Sequence, residues 1–214
     1  LYCINKLIET YIEDNKMTIK NNTLTLYHGT TTKHLDHILK QGITPRYKNS
    51  IGNWKDNPSR DDMVYLSNAY ACYFAYVTAG EQGGDPLVLE VNVKKDRLYP
   101  DEDYLEQFTR VDPAWKEIVE QTSMEFRTEH FKKTLLDYKD YFEDSLQFLG
   151  NACHKGIIKP KNIVRYSILD DDKVLEYSDP TITLQNYIYL GDRYRELSKS
   201  TMWQKPLSKS ITVL

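Results

Sequence analysis

The stretch LTLYHGTTTKHLDHILKQG, residues 24–42, decides how the rest of this chain is read. Leu24 and Leu26 lead a strand into His28, and Gly29 follows at once. Thr31 or Thr32 is placed to cap the next helix. Its buried stripe is Leu35, Ile38 and Leu39, and Gly42 stands where a C-terminal cap belongs. A histidine at such a corner is well set for binding. The glycine lets a ligand come close to the backbone, and helix N-terminal amides nearby donate hydrogen bonds.

Working outward, residues 44–62 (TPRYKNSIGNWKDNPSRDD) form a long polar loop with Trp54 in its middle, the form of a binding loop. A second strand is expected over Met63–Leu66. A helix capped by Ser67 or Asn68 follows, with Ala71, Ala75 and Ala79 on one side and its end at Gly80. PLVLEVNV, residues 86–93, alternates as a strand should. An acidic, aromatic stretch covers Leu98–Phe108, and residues 113–149 are mostly helical, closed by Gly150. Residues 151–169 suggest two short strands joined by a proline turn. Further expectations are an amphipathic helix over residues 1–16, a strand at Val174–Tyr177 and a helix near Asn186–Leu197. Strands and helices interleave without regular βαβ spacing, so the fold class is α+β. The organisation is a single domain, 1–214, carrying a helical segment, 113–149, and a C-terminal extension, 170–214.

Composition limits the function classes. The 214 residues carry a net charge of -3 and a sequence pI near 6.0, where a dedicated duplex-DNA binder would be basic. Mean hydropathy is -0.61, and no apolar run approaches the ~18 residues of a spanning helix. The opening LYCINKLIETYIEDNK turns polar within two turns, unlike a secretory leader. Three widely spaced cysteines, Cys3, Cys72 and Cys153, make neither a disulfide framework nor a metal knuckle. A cytoplasmic setting with no membrane partner is expected. Tyrosine is abundant, at 17 residues, and serves cores and ring stacking alike.

Taken together, YHGTT…HILKQGI, IGNW…DDMVYLS, AYACYFA and LVLEVNV resemble the ADP-ribosyltransferase family over about residues 24–103. The resemblance implies a split, curved pair of small sheets enclosing NAD. It implies His28 at the ribose, the Gly29 backbone with Thr30 against the nicotinamide carboxamide, and Tyr65 stacked on the nicotinamide ring. Tyr76 falls where poly-ADP-ribose polymerase members carry a second stacking tyrosine, and Tyr73 lies one helical turn before it. Cleaving the nicotinamide–ribose bond builds positive charge on the sugar, which a carboxylate stabilises. Many members carry that acid as a glutamate on a late strand, where this chain has Cys153 and His154. The rifampin-modifying branch uses an Asp after the strand that follows the Tyr helix. Here that place is held by Asp101, Glu102 and Asp103, with Asp103 the first choice and Glu102 and Asp101 behind it.

The expected activity is therefore mono-ADP-ribosyl transfer from NAD, with no metal, to a protein or nucleic-acid acceptor. By analogy with bacterial and phage members it would be a toxin or conflict effector, with an antitoxin or another protein as partner. Two alternatives stand beside it: an RNA 2′-phosphotransferase, which shares the fold and a strand-end His-Gly-Thr, and an inactive NAD- or ADP-ribose-binding module. Arg46 and Arg60 flank the long loop and are candidates for the NAD pyrophosphate. Lys155, Lys159, Lys161 and Arg165 form a small basic run. His34 and His37 lie three apart on a helix but lack a third metal ligand.

Overall fold

The computed structural model describes residues 22–46 and 60–169. The strands among them are β1 (Thr23–Thr31), β2 (Met63–Ser67), β3 (Pro86–Lys94), β4 (Leu98–Pro100), β5 (Asn151–Lys155) and β6 (Ile163–Ile168). The helices are α1 (Leu35–Gln41), α2 (Ala71–Gln82), α3 (Glu102–Val111), α4 (Lys116–Gln121), α5 (Met124–Thr134) and α6 (Phe142–Phe148). The class is α+β, with one open antiparallel sheet of order β4-β5-β2-β1-β3-β6. No described helix is long and apolar enough to cross a membrane.

Pairing within the sheet is uneven. β1 runs beside β3 from Thr23↔Lys94 to Thr31↔Pro86, and β2 beside β5 from Met63↔Lys155 to Ser67↔Asn151. β1 and β2 meet only at Tyr27↔Ser67. Two well-knit halves, β1–β3–β6 and β2–β5–β4, are thus joined at one residue pair.

Strand alternation sets the layers. Leu26, Val64, Leu66, Leu87, Leu89, Val91, Leu98 and Ala152 share one core, completed by Ile38 of α1 and Leu146 of α6. The opposite side is covered in two pieces. Ala71 and Ala75 of α2 lie on Val88, with Tyr27 and Tyr76 beside them. Met63 and Cys153 pack instead on Tyr104 and Leu105 of α3 and Phe131 of α5, with Tyr65 and Tyr99 alongside. Tyr27 and Tyr65 therefore belong to different clusters, and the boundary runs where β1 and β2 part. α3 and α5 are locked together by Glu106, 2% exposed, whose carboxylate takes 2.6 Å hydrogen bonds from Arg127 and from Arg110.

Several local expectations change. Thr31 and Thr32 do not cap a helix by side chain: Thr31 Oγ1 donates to the Gly83 carbonyl at 2.6 Å, and Thr32 Oγ1 accepts from the Asp85 amide at 2.9 Å. They fasten the end of β1 to the α2–β3 turn, and α1 begins only at Leu35 after a 3-10 turn. Gly80 does not end α2. It is exposed with open space around it, so it costs the helix only about 1 kcal/mol in propensity. The helix stops at Gly83, whose φ of 78° favours glycine. Neither Ser67 nor Asn68 caps α2, which begins at Ala71 after Tyr70 with no side-chain cap; the Ser67 Oγ instead accepts from the Ala69 and Tyr70 amides of the preceding turn at 3.0 and 2.6 Å. The strands after Gly150 form as expected but do not pair with each other: β5 lies between β4 and β2, and β6 pairs with β3 at the far edge. The expected elements at 1–16, Val174–Tyr177 and Asn186–Leu197, and Trp54 with most of its loop, lie outside the described residues.

Candidate active site

His28 and Tyr65 stand on the two strands that separate. By alternation the His28 side chain leaves β1 on the side of Leu26, opposite Leu89, whereas Tyr65 leaves β2 on the other side with Met63. The imidazole nevertheless reaches across to β2, with Nδ1 2.9 Å from the Tyr65 carbonyl oxygen. A carbonyl only accepts, so Nδ1 carries the proton. Burial holds the His28 pKa below its ordinary 6.5, against the opposing effect of that hydrogen bond, with the nearby His34 lowering it further. The ring is therefore neutral near pH 7 and its Nε2 is an acceptor, so a sugar hydroxyl would donate to His28 rather than receive from it.

The Tyr65 phenol continues the connection. Its hydroxyl lies 2.7 Å from both carboxylate oxygens of Glu102 and accepts from the Arg60 amide at 3.0 Å. Burial, then the Glu102 charge, pushes the phenol well above its ordinary value, so it stays a donor. Glu102 is 4% exposed. Its pKa is raised by burial, with the Tyr65 hydrogen bond pulling the other way. Phenol and carboxylate thus form one bonded pair, and the imidazole is held to the same residue through its backbone carbonyl, from the opposite side of the sheet.

The three consecutive acids have separate tasks. Asp101 is buried and caps α3, accepting from the Asp103 amide at 2.9 Å, while its own amide donates to Ser145 Oγ at 3.0 Å. Burial and the charges of Glu102 and Asp103 push its carboxyl well upward. Glu102 turns inward to Tyr65. Asp103, the first sequence choice, is exposed at the outer face of α3 and is not the acid that meets the phenol. Helical spacing contains the signal for this choice: Glu102 is in phase with Leu105, Glu106 and Thr109, all buried, and Asp103 with exposed Gln107 and Arg110.

Around these groups, Gly29 is fully laddered to Val88 on the β3 side and has no paired position on β2. Its lack of a side chain answers first to packing: a Cβ there would lie 1.9 Å from the Ala71 carbonyl oxygen and 2.6 Å from the Ala75 amide. Thr30 is buried opposite Leu87. Tyr76 is half-buried against the α2–Val88 cluster. Tyr73 is 44% exposed and meets the Phe74 ring edge-on. Arg60 is paired with Asp62 at 2.8 Å and bonded to the Lys132 carbonyl. In the basic run, Arg165 pairs with Glu90 at 2.6 Å. The sequence reading missed Cys153 as a neighbour of the acids; its thiol is pushed well up by burial and then by Glu102 and Asp101, and it donates to the Pro100 carbonyl at 3.1 Å. The His34 ring meets Gln82 at 2.7 Å, and no trio of His, Cys, Asp or Glu among the described residues is grouped to hold a metal.

Compared with models of known protein families and with curated proteins, the chain matches none.

Proposed function

We propose that this chain is a mono-ADP-ribosyltransferase that takes NAD where β1 and β2 part. The observation that carries the reading is the Tyr65 phenol bonded to Glu102 on one face of the sheet, with the His28 imidazole reaching the Tyr65 carbonyl from the other face where β1 and β2 part. The single pair joining the halves supports the finer description of the fold as two small sheets enclosing a dinucleotide.

In this reading His28 Nε2 accepts from a ribose hydroxyl and so fixes the sugar. The Gly29 backbone, unpaired toward β2, receives the carboxamide, and the Tyr65 ring faces the nicotinamide. The bond between nicotinamide nitrogen and ribose breaks, and its electron pair neutralises the pyridinium. The sugar carbon left behind is oxocarbenium-like, and the Glu102 charge held beside the phenol lowers the energy of that cation. A nucleophile of the acceptor then forms the new bond to that carbon and gives its proton to a carboxylate or to water.

The test is nicotinamide release and labelled-NAD transfer by the full chain and by His28→Ala, Tyr65→Ala, Glu102→Gln and Asp103→Asn. Loss of at least about 100-fold is expected for His28→Ala, Tyr65→Ala and Glu102→Gln. Activity that survives both His28→Ala and Tyr65→Ala sinks the assignment. A wild-type chain that binds NAD without releasing nicotinamide reduces the protein to a binding module. Loss in Asp103→Asn with Glu102→Gln intact returns the acid's role to Asp103.

A further inference from the structure

α3 and the helical segment after it line a cavity of about 130 Å³ that the transferase reading does not use. Five of its eight lining residues are aromatic: Phe108, Trp115, Phe131, Tyr138 and Tyr141. They adjoin one another in series. Trp115 meets Phe131 at 5.6 Å and 51°, Phe131 meets Tyr138 at 5.4 Å and 77°, Tyr138 meets Tyr141 at 6.1 Å and 56°, and Tyr141 meets Phe108 at 6.1 Å and 51°. Phe131 is the floor at 2% exposure, and Tyr141 is open to solvent at 39%.

We infer that this cavity is a binding site for a compact methylated ammonium ion. Successive rings meet at 51° to 77° and none of these pairs stacks flat, so five rings around one cavity make a box rather than a slot. A flat base needs parallel plates, whereas a box presents several electron-rich surfaces to one central cation. Charge agrees with shape. The lining contains one carboxylate, Asp112, and no basic side chain. One Asp112 oxygen caps the Ala114 amide at 3.0 Å, and the other makes no hydrogen bond among the described residues. Size agrees too, since an apolar cavity of about 150 Å³ accepts a benzene-sized guest. Methyl groups fill such a box, while a bare, strongly hydrated cation would have to shed water to enter it. The site stands on its own geometry and does not need the NAD reading, although α3 joins the two, with Glu102 at its start and Phe108 near its end.

The test is calorimetric titration of the full chain with choline chloride, with its uncharged isostere 3,3-dimethyl-1-butanol and with potassium chloride. Choline is expected to bind in the millimolar range, with the isostere and potassium at least about tenfold weaker. One tryptophan indole NMR resonance should shift with choline, and that resonance should be missing from the spectrum of Trp115→Phe. Asp112→Asn should weaken choline at least about threefold. The isostere binding within a factor of about two of choline would show a merely apolar void and overturn the inference, as would no choline binding at about 100 mM. Both of those comparisons use the unaltered protein, so a variant that fails to fold cannot shield the inference.

Discussion

Replacing Tyr65 by Phe deletes one oxygen and leaves the ring. In the folded protein that oxygen donates to Glu102 at 2.7 Å and accepts from the Arg60 amide at 3.0 Å, beside a carboxyl only 4% exposed. A hydrogen bond to a charged group is worth about 1.5–3 kcal/mol, and a neutral one about 0.5–1.5 kcal/mol. The loss in Tyr65→Phe therefore depends on the charge of Glu102. Burial raises the folded pKa of that carboxyl above its ordinary 4.5. Between the unfolded and the folded value the native state holds more protons, so this group's contribution to stability falls as pH rises through that window. Removing the phenol removes an interaction that favours the charged form, lifts the folded value further and widens the window. Urea unfolding near pH 8, where Glu102 carries more charge than at low pH, should show a deficit of about 1.5–3 kcal/mol relative to wild type. At pH 4.5, where a carboxyl with a raised pKa is mostly protonated, the deficit should shrink to about 1 kcal/mol. A deficit that is the same at both pH values, or below about 0.5 kcal/mol near pH 8, refutes the bonded phenol–carboxylate pair. On the transferase reading, nicotinamide release should fall less in Tyr65→Phe than in Tyr65→Ala, because the ring remains.

Gly29→Ala must push α2 back by about 1.5 Å to bring a 1.9 Å approach to the 3.4 Å of ordinary contact, and should cost about 3 kcal/mol or prevent folding; a normal denaturation midpoint would contradict the close packing of α2 on β1. Glu106→Ala leaves Arg127, 6% exposed, without its carboxylate and should cost about 3–5 kcal/mol, whereas the paired change Glu106→Leu with Arg127→Met should cost much less by the same measurement. Because His28 titrates below 6.5 when folded, the native state binds fewer protons than the unfolded chain as pH drops past that value, and stability falls. His28→Asn should therefore flatten the dependence of unfolding free energy on pH between about 7 and 5, and an unchanged slope would show that the imidazole is not held neutral.

The elements themselves were legible along the chain. Alternation of Leu87, Leu89, Val91 and Val93 marked β3, the alanines at 71, 75 and 79 marked the packed side of α2, and Gly42 and Gly150 marked ends, because each is a local consequence of period or turn chemistry. Gly80 misled for a physical reason: an exposed glycine within a helix costs little, so it does not have to end one. The threonines after Gly29 misled because the partners they chose, the Gly83 carbonyl and the Asp85 amide, are some 50 residues away.

The candidate residues His28, Tyr65 and an acid among 101–103 were open to the reader of the sequence, since residue type and neighbouring turns reveal a chemical repertoire. Which acid turns inward, which nitrogen of His28 carries the proton, and that β5 and β6 go to opposite parts of the sheet were settled in three dimensions. So was the ring of aromatics around Asp112, whose members come from four helical stretches. Periodicity reports which face of an element is buried. It says nothing about which distant element covers that face, and hydrogen-bond partners, proton positions and cavities are properties of that second choice.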